Sequence, residues 1–301
     1  MPRLRPPPVP LSAVHLQRLP AGDLLGADTP DRGEILAPLL RRRSLNLLYA
    51  PRGLGKTFVA MAMARAAAAG DRFLGWQAGR PHRVLYVDGE MAAADVQQRL
   101  VALGPPPPTL EFILADLAPL PDLADEVGQA TLENACDPPP DLLVLDNLSS
   151  LAGHRTGDPD PWPKLQPFLL CLRARTAVLV VHHTNKRGAL RGSAQHEDVL
   201  DLVLALRRPL DYAPRQGAHF ELHVEKARSL AGPALDPIEA QLRFDAAGRA
   251  SWTWWPLEEQ DSHRVAALLR GGLNPNQIAR ELGISKSKAY RLREQAMATP
   301  V

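Results

Sequence analysis

The chain has 301 residues, of which 45% are hydrophobic and 23% charged, a balance typical of a folded protein rather than a disordered one. Its apolar runs fall short of the ~20 residues that a membrane-spanning helix needs, and residues 1–8 lack the apolar centre of a secretory signal. Two cysteines, Cys136 and Cys171, exclude a disulfide framework and a cysteine zinc site. We therefore expect a cytoplasmic protein with one large and one small domain.

The net charge of +2 hides an uneven distribution of basic residues. Residues 262–298 carry a net charge of +5, and the rest of the chain carries −3. Only six of the 35 basic residues are lysines, which a coding bias towards arginine explains. The basic segment at the end of the sequence nevertheless predicts a nucleic-acid partner.

In chain order, residues 1–20 are rich in proline and arginine and predict an extended or poorly ordered arm. Short apolar runs then alternate with stretches of helical length. This alternation predicts an α/β domain over residues 21–258, with a mainly parallel sheet covered by helices on both faces. The predicted strands are 45–50, 83–88, 110–115, 141–146, 177–182, 198–206 and 219–224, and the predicted helices are 57–69, 92–103, 124–135 and 162–175.

The last predicted strands follow one another with no room for helices between them, which predicts antiparallel strands at one end of the sheet. Residues 251–262 are interpreted as the end of the last strand followed by a linker. Their tryptophans are expected to pack at the sheet edge, with a base-stacking platform as the alternative. Residues 263–298 are expected to form a separate helical domain.

The strongest motif, APRGLGKT, occupies residues 50–57 between the first predicted strand and the first predicted helix. Its glycines allow backbone amides to turn inward onto phosphate oxygens at a helix N-terminus. Lys56 is expected on the β- and γ-phosphates of ATP, and Thr57 on Mg²⁺. Ala50 departs from the strict pattern, which has glycine there. The predicted nucleotide-binding residues are Pro51, Arg52, Gly53, Leu54, Gly55, Lys56, Thr57 and Phe58.

Two later strand ends carry acidic residues suited to the same site. Asp146 ends an apolar strand and is predicted to hold Mg²⁺ together with Thr57. Asn147 follows it in place of a second acid, so the catalytic base has to lie elsewhere. We expect the strand before Glu90 to adjoin the phosphate-loop strand, so that Glu90 deprotonates the attacking water. The alternatives are Asp88 as the base, or a merely solvated role for Glu90.

Together these segments resemble the RecA-like ATPases, and within them the hexameric replicative helicases of the DnaB and plasmid RepA type, over roughly residues 20–255. The resemblance implies a ring that hydrolyses ATP with Mg²⁺ at subunit interfaces and moves on single-stranded DNA. The large N-terminal helical domain of the DnaB type has no counterpart in residues 1–20, which favours the smaller RepA type.

The resemblance also implies roles for two later segments. His182 or His183 would sense the γ-phosphate, and only one of them faces the nucleotide because adjacent strand residues point to opposite faces. The stretch that follows resembles the mobile loop facing the ring's channel, with a solvated basic loop as the alternative. Its candidate contacts with single-stranded DNA are Lys186, Arg187 and Arg191.

Lys226 and Arg228 resemble the Lys-x-Arg pair that replicative helicases insert into the nucleotide of the neighbouring subunit. A charge supplied in this way stabilises the transition state of phosphoryl transfer. An ordinary solvated strand end is the alternative for these two residues. The next candidate for the inserted charge is the pair Arg207 and Arg208.

Residues 273–294 resemble a helix-turn-helix, whose second helix would lie in the major groove of double-stranded DNA. Asn274 is suited to cap the first helix, and Gly283 allows the turn. The predicted DNA contacts on the second helix are Lys286, Lys288 and Arg291. A small bundle used for protein contacts is the alternative.

The leading hypothesis is an ATP-driven, ring-shaped DNA helicase of plasmid or phage replication. Its expected cofactors are ATP and Mg²⁺, and its expected partners are single-stranded DNA, double-stranded DNA and further copies of the chain, with no membrane. Two alternatives stay open: a RecA-like recombination or repair ATPase, and a DNA-binding regulator switched by ATP.

Overall fold

The computed structural model describes residues 18–29, 32–153, 161–184, 198–209 and 212–298. The chain divides into a unit of residues 1–31, which contains helix α1, and a unit of residues 32–301, which contains every other described element. The helices are α1 (Ala21–Gly26), α2 (Lys56–Ala69), α3 (Ala93–Leu103), α4 (Glu126–Ala135), α5 (Leu148–Leu151), α6 (Trp162–Arg173), α7 (Leu257–Arg270), α8 (Pro275–Glu281) and α9 (Lys286–Ala298). Over these described ranges, no helix is long and apolar enough to cross a membrane.

Within the described residues, the strands form one nine-stranded sheet and two small two-stranded sheets. In chain order they are β1 (Glu34–Leu36), β2 (Leu40–Arg41), β3 (Leu45–Ala50), β4 (Arg72–Phe73), β5 (Trp76–Gln77), β6 (Val84–Asp88), β7 (Leu110–Leu114), β8 (Leu142–Asp146), β9 (Ala177–His183), β10 (Leu202–Arg207), β11 (His219–Ala227), β12 (Ile238–Phe244) and β13 (Ala250–Pro256). The order across the large sheet is β13-β12-β11-β10-β3-β9-β8-β6-β7.

The half of the large sheet from β10 to β7 is parallel. Strands β3, β6 and β8 are buried along their whole length, which explains why each is a continuous apolar run rather than an alternating one. Strands β11, β12 and β13 then pair in antiparallel fashion at one end. The structure therefore confirms the α/β class and the mainly parallel sheet with its antiparallel end.

Side-chain alternation divides the core of the large sheet into two layers. On β8, Val144 points to the layer that contains α2, and Leu145 points to the layer that contains α6. Helix α2 packs a nearly continuous surface of alanine and methionine against the sheet, so its axis can lie close to the strands. Each wholly buried leucine on these faces contributes about 1.5–3 kcal/mol, which holds the strand ends in fixed positions.

Two expectations about this sheet are wrong. Strand β6 does not adjoin the phosphate-loop strand β3, because β9 and β8 lie between them. Residues 251–262 are not a linker, because β13 pairs with β12 as far as Pro256 and α7 begins at the next residue. In addition, β10 begins at Leu202 rather than at residue 198.

The last three helices pack around a small apolar core of Val265, Ile278 and Leu292. A capping box opens α8, where Asn274 accepts the Gln277 amide hydrogen and the Gln277 side chain accepts from the Asn274 amide. Helix α7 lies against β12 and β13 as well as against α9. The three helices are therefore attached to the sheet directly through α7.

Candidate active site

The phosphate loop lies between β3 and α2 and depends on two glycines with left-handed backbone conformations. Gly53 has φ +76° and Gly55 has φ +94°, values that side-chain-bearing residues rarely adopt. A methyl group on Gly55 would also lie 2.5 Å from Cβ of Ala218, which precedes β11. The loop therefore requires glycine at position 55 for its conformation and for its packing.

Lys56, the first residue of α2, is buried at the centre of this loop. Its Nζ donates hydrogen bonds to the carbonyl oxygens of Ala50, at 3.0 Å, and Pro51, at 2.9 Å. Burial lowers the pKa of Lys56 to about 8, while the nearby carboxylates of Asp146 and Glu90 oppose that shift. An anion bound in the loop would favour the charged ammonium, as a phosphate-binding lysine requires.

Asp146 ends β8 and is buried beside the loop. Its Oδ2 accepts a 2.6 Å hydrogen bond from the hydroxyl of Tyr86 on β6. Burial raises the pKa of Asp146 to about 6, and hydrogen bonds with Tyr86 and Thr57 oppose that rise. One carboxylate next to one hydroxyl is an oxygen donor set that fits Mg²⁺, which takes one or two carboxylates and completes its shell with phosphate and water. Thr57 and Asp146 are thus suited to hold the ion.

A tight turn after β6 directs Glu90 towards the same place. Asp88 Oδ1 accepts backbone hydrogen bonds from Glu90, at 2.9 Å, and from Met91, at 2.7 Å, so Asp88 shapes the turn. The Glu90 carboxylate accepts a hydrogen bond from the side-chain amide of Asn147, and it lies 3.7 Å from Nε2 of His183. This arrangement favours Glu90 over Asp88 as a general base, since Asp88 is occupied with backbone amides.

The two histidines at the end of β9 differ in where they point. His183 lines the cavity above the loop, whereas His182 is buried and does not line it. Burial is the largest cause that lowers the pKa of His183 to about 4, the charge of Lys56 contributes to the same shift, and Glu90 opposes it. The lowered pKa favours the neutral form of His183, which lines the cavity above the phosphate loop.

These groups surround one open cavity of about 520 Å³, within the ~300–1,000 Å³ typical of small-molecule sites. Of the predicted nucleotide-binding residues, Pro51, Arg52 and Leu54 do not line it, and the Leu54 side chain is fully buried in the core. The lining residues are Gly53, Gly55, Lys56, Thr57, Phe58, Asp88, Glu90, Met91, Ala92, Asp95, Arg99, Asp146, His183, Gly217 and Ala218.

Sequence reasoning missed the contribution of α3 to this cavity. Asp95 and Arg99 are four residues apart and share a helix face, which turns towards the cavity together with Met91. The sequence does hold one sign of this contribution, since both residues lie on the predicted helix that directly follows Glu90. The segment containing Gly217 and Ala218 was also missed, because no motif marks it.

Lys226 and Arg228 lie at the edge of the sheet away from the phosphate loop. Strand β11 runs antiparallel to β10, so Lys226 pairs with Val203 near the start of the parallel strands. The Arg228 guanidinium donates to the carbonyl of Asp198, and the six residues of β3 span about 20 Å. These two residues are thus too far from the cavity of their own chain to contact a nucleotide bound there.

Arg207 and Arg208 are the next candidates for the inserted charge. Arg207 ends β10 and Arg208 follows it, at the edge of the sheet that carries the phosphate loop. Arg207 forms a 2.8 Å ion pair with Glu225, and the Arg208 guanidinium lies 5.4 Å from the ring centroid of Tyr212. Neither residue lines the cavity.

Some of the predicted DNA contacts take part in ion pairs within the chain. Lys186, Arg187 and Arg191 lie outside the described residues. On α9, Lys288 Nζ forms a 2.6 Å ion pair with Asp261 of α7, and Arg291 forms a 2.8 Å pair with Glu258. Acidic side chains of α7 thus pair with both residues, while Arg291 stays exposed and Lys288 is half-buried. Lys286 is exposed.

One family model, one curated relative and one solved structure are similar to this chain. A family model described as "AAA domain" matches residues 10–189, more than half of the chain. The DNA repair protein RadA of Brucella abortus is 26% identical over 198 residues, which are 64% of this chain and 38% of RadA. A KaiC-like protein of Pyrococcus horikoshii shares the fold with a TM-score of 0.53 at 13% identity, covering 74% of this chain and 94% of that protein.

Proposed function

The chain belongs to the AAA domain family, and from this premise we propose that it is a RecA-like ATPase that acts on DNA in recombination or repair. The observation that carries the proposal is the convergence of Lys56, Thr57, Asp146 and Glu90 on one cavity. The relatives support this class better than the replicative helicase that the motifs first suggested.

Each side chain in the cavity has a chemical task in this proposal. Lys56 and the loop amides bind the phosphates, while Thr57 and Asp146 would hold Mg²⁺, which neutralises charge on the phosphate oxygens when bound. Glu90 takes the proton of the attacking water, and the Asn147 amide fixes the orientation of its carboxylate. His183 remains neutral and contacts a terminal phosphate oxygen.

The proposed assembly of several copies rests on Lys226 and Arg228. Because both lie at the far edge of the sheet, they can reach a nucleotide only in a neighbouring copy. A cation supplied across such an interface would stabilise the transition state. The chain spans about two fifths of the length of RadA, so assembly and partners are proposals for this chain alone.

The proposed DNA partner rests on the basic C-terminal segment and on the similarity to a DNA repair protein. We assign α8 and α9 as a helix-turn-helix in which exposed Lys286 and half-buried Arg293 face the DNA. The Arg293 guanidinium lies 5.3 Å from the ring centroid of Tyr290. Contacts of this phosphate-dominated kind weaken steeply with salt.

A ring helicase is the second candidate, favoured by the Glu90 strand end and the Lys-x-Arg pair. Two measurements on the purified protein separate the classes: ATP hydrolysis with and without single-stranded DNA, and unwinding of a forked duplex. DNA-stimulated hydrolysis without unwinding supports the recombination or repair class, and unwinding supports the helicase. Hydrolysis that DNA does not change, together with ATP-dependent duplex binding, would contradict both and favour a regulator.

A further inference from the structure

Tyr86 of β6 contacts Asp146 without lining the cavity itself. Its side chain is 1% exposed, and its hydroxyl donates a 2.6 Å hydrogen bond to Oδ2 of Asp146 on the neighbouring strand β8. The direction of this hydrogen bond is fixed, because an ionised carboxylate can only accept. The proposed nucleotide site assigns Asp146 to Mg²⁺ but gives no task to Tyr86.

Packing within the sheet holds the Tyr86 ring in place. Tyr86 pairs in register with Val144 of β8 on one side and with Phe112 of β7 on the other. The rings of Tyr86 and Phe112 have centroids 5.3 Å apart, and Tyr86 belongs to the core layer that contains α2. The hydroxyl therefore reaches Asp146 from a tightly packed ring, and it orients the carboxylate in turn.

Asp88 lies beside Asp146 and is held in a similar way. The two residues are register partners at the ends of β6 and β8, and both line the cavity. Oδ1 of Asp88 accepts hydrogen bonds from the backbone amides of Glu90 and Met91, whereas Oδ2 of Asp146 accepts one from Tyr86. The protein thus occupies one oxygen of each carboxylate, and it leaves a cation at these strand ends mainly the other.

The number of available oxygens matters for the choice between Mg²⁺ and Ca²⁺. Mg²⁺ takes one or two carboxylates and completes its small octahedral shell with phosphate and water. Ca²⁺ is larger, takes about six to eight oxygens and readily accepts both oxygens of one carboxylate. A carboxylate that is prevented from offering both oxygens therefore favours Mg²⁺.

We propose that Tyr86 is a positioning residue that selects Mg²⁺ over Ca²⁺ at the nucleotide site, by holding Asp146 so that one carboxylate oxygen faces the cation. The inference rests on the proposed nucleotide site and adds to it the residue that sets its metal specificity. A purely structural role for the hydroxyl, as one more buried hydrogen bond, is the competing outcome.

The test measures the Mg²⁺ and Ca²⁺ concentrations that give half-maximal binding of a fluorescent ATP analogue, in the wild type, Tyr86→Phe and Phe112→Leu. The affinity of each metal for the analogue itself is the same throughout, so differences between variants report on the protein. Tyr49→Phe is the matched control, because Tyr49 is also buried, its hydroxyl donates to the carboxylate of Glu225, and neither of these residues lines the cavity. Thermal unfolding verifies that each variant is folded.

Tyr86→Phe is expected to raise the Mg²⁺ requirement about tenfold, a usual loss when the partner of a metal ligand is removed, while the Ca²⁺ requirement changes less than about twofold. Binding of the analogue without metal stays unchanged, because the phosphate loop is untouched. Phe112→Leu keeps the hydroxyl but loosens the ring, so it shifts the ratio of the two requirements in the same direction by a smaller factor. Tyr49→Phe matches the wild type with both metals.

Equal rises in the two metal requirements of Tyr86→Phe, or no change in either, overturn the selection of Mg²⁺ by Tyr86. If Tyr86→Phe does not fold, an unchanged ratio in Phe112→Leu overturns it instead. A wild type that binds the analogue under no condition overturns the nucleotide site itself. That result is distinguishable, because it concerns the wild type and not the variants.

Discussion

Burial in the cavity shifts the pKa of three side chains, each in the direction of its neutral form. The pKa of Lys56 falls to about 8, that of His183 falls to about 4, and that of Asp146 rises to about 6. Desolvation is the largest cause in all three, since the charged form loses its water. The cavity therefore suits ligands that favour the charged forms: phosphates beside Lys56 and a cation beside Asp146.

The raised pKa of Asp146 leads to a pH dependence of metal binding. A carboxylate binds Mg²⁺ only when deprotonated, so affinity is full above pH 6 and falls as the pH drops through about 6. His183 stays neutral throughout this window because its pKa is lower. Titration of Mg²⁺ into the protein with a fluorescent ATP analogue checks this from pH 5 to 8.

The expected outcome is a Mg²⁺ requirement that rises about tenfold for each pH unit below 6. The matched variant Asp146→Asn loses the pH dependence together with most of the Mg²⁺ affinity. A constant Mg²⁺ requirement down to pH 5 in the wild type would contradict the assignment of Asp146 as a buried metal ligand.

At the scale of elements, the phosphate loop is held by a segment that no motif marks. Ala218 packs against Gly55, and its carbonyl also accepts a 2.8 Å hydrogen bond from Leu242 of β12. The position of the loop is thus set partly by the antiparallel end of the sheet. This coupling could not be predicted, because it depends on the order of strands and not on any local pattern.

Gly55→Ala tests this packing, because the new methyl group meets both a left-handed backbone and Ala218. We expect loss of ATP binding by at least about tenfold from strain of roughly 1–2 kcal/mol plus the clash. Ala218→Gly removes the clash but not the strain, so the double variant recovers only part of the affinity. Full recovery would mean that the backbone conformation is unimportant.

The C-terminal helices are attached to the sheet by a series of buried and half-buried polar side chains. Glu239 of β12 contacts His219 at 2.8 Å and Arg264 of α7 at 2.9 Å, while Asp261 of α7 contacts Lys288 of α9 at 2.6 Å. Glu239 is only 4% exposed. An acid at this depth needs both partners to offset its lost hydration.

Glu239→Ala leaves His219 and Arg264 without that partner and is expected to lower the free energy of unfolding by about 3–5 kcal/mol. Denaturant melts measure the change. Glu281→Ala is the control, because it removes an exposed acid that forms no ion pair among the described residues and should change the free energy of unfolding by less than about 0.5 kcal/mol. Similar melts for the two variants would show that the buried series does not stabilise the attachment.

Over the whole molecule, the parallel strands of the sheet could be predicted from the sequence, but the order of the strands across the sheet could not. Strands such as β3 and β8 are continuous apolar runs because both of their faces are covered, and that pattern is visible in the sequence. The insertion of β9 between them depends on crossovers that leave no local trace. The polar residues of β12 and the tryptophans of β13 gave no clear strand pattern, and β13 is the edge strand at that end of the sheet.

In the site too, features set by a local sequence pattern could be predicted, and contacts between distant segments could not. The loop residues and the acids at strand ends were predictable, because each follows a strand directly and the carboxyl ends of parallel strands share one edge. Arg99 was not predicted, because its approach to Phe58 requires α3 to pack beside α2. The ion pairs of Lys288 and Arg291 were missed because α7 was interpreted in part as a linker.

The central claim is that the cavity around Lys56 hydrolyses ATP. Phosphate release by the purified protein with Mg²⁺ tests it in three variants: Lys56→Ala, Glu90→Gln, and Lys164→Ala as a control for an exposed lysine outside the cavity. We predict that Lys56→Ala loses binding and turnover, that Glu90→Gln keeps binding but slows turnover at least about 100-fold, and that Lys164→Ala matches the wild type. Turnover by Lys56→Ala equal to that of the wild type would contradict the account.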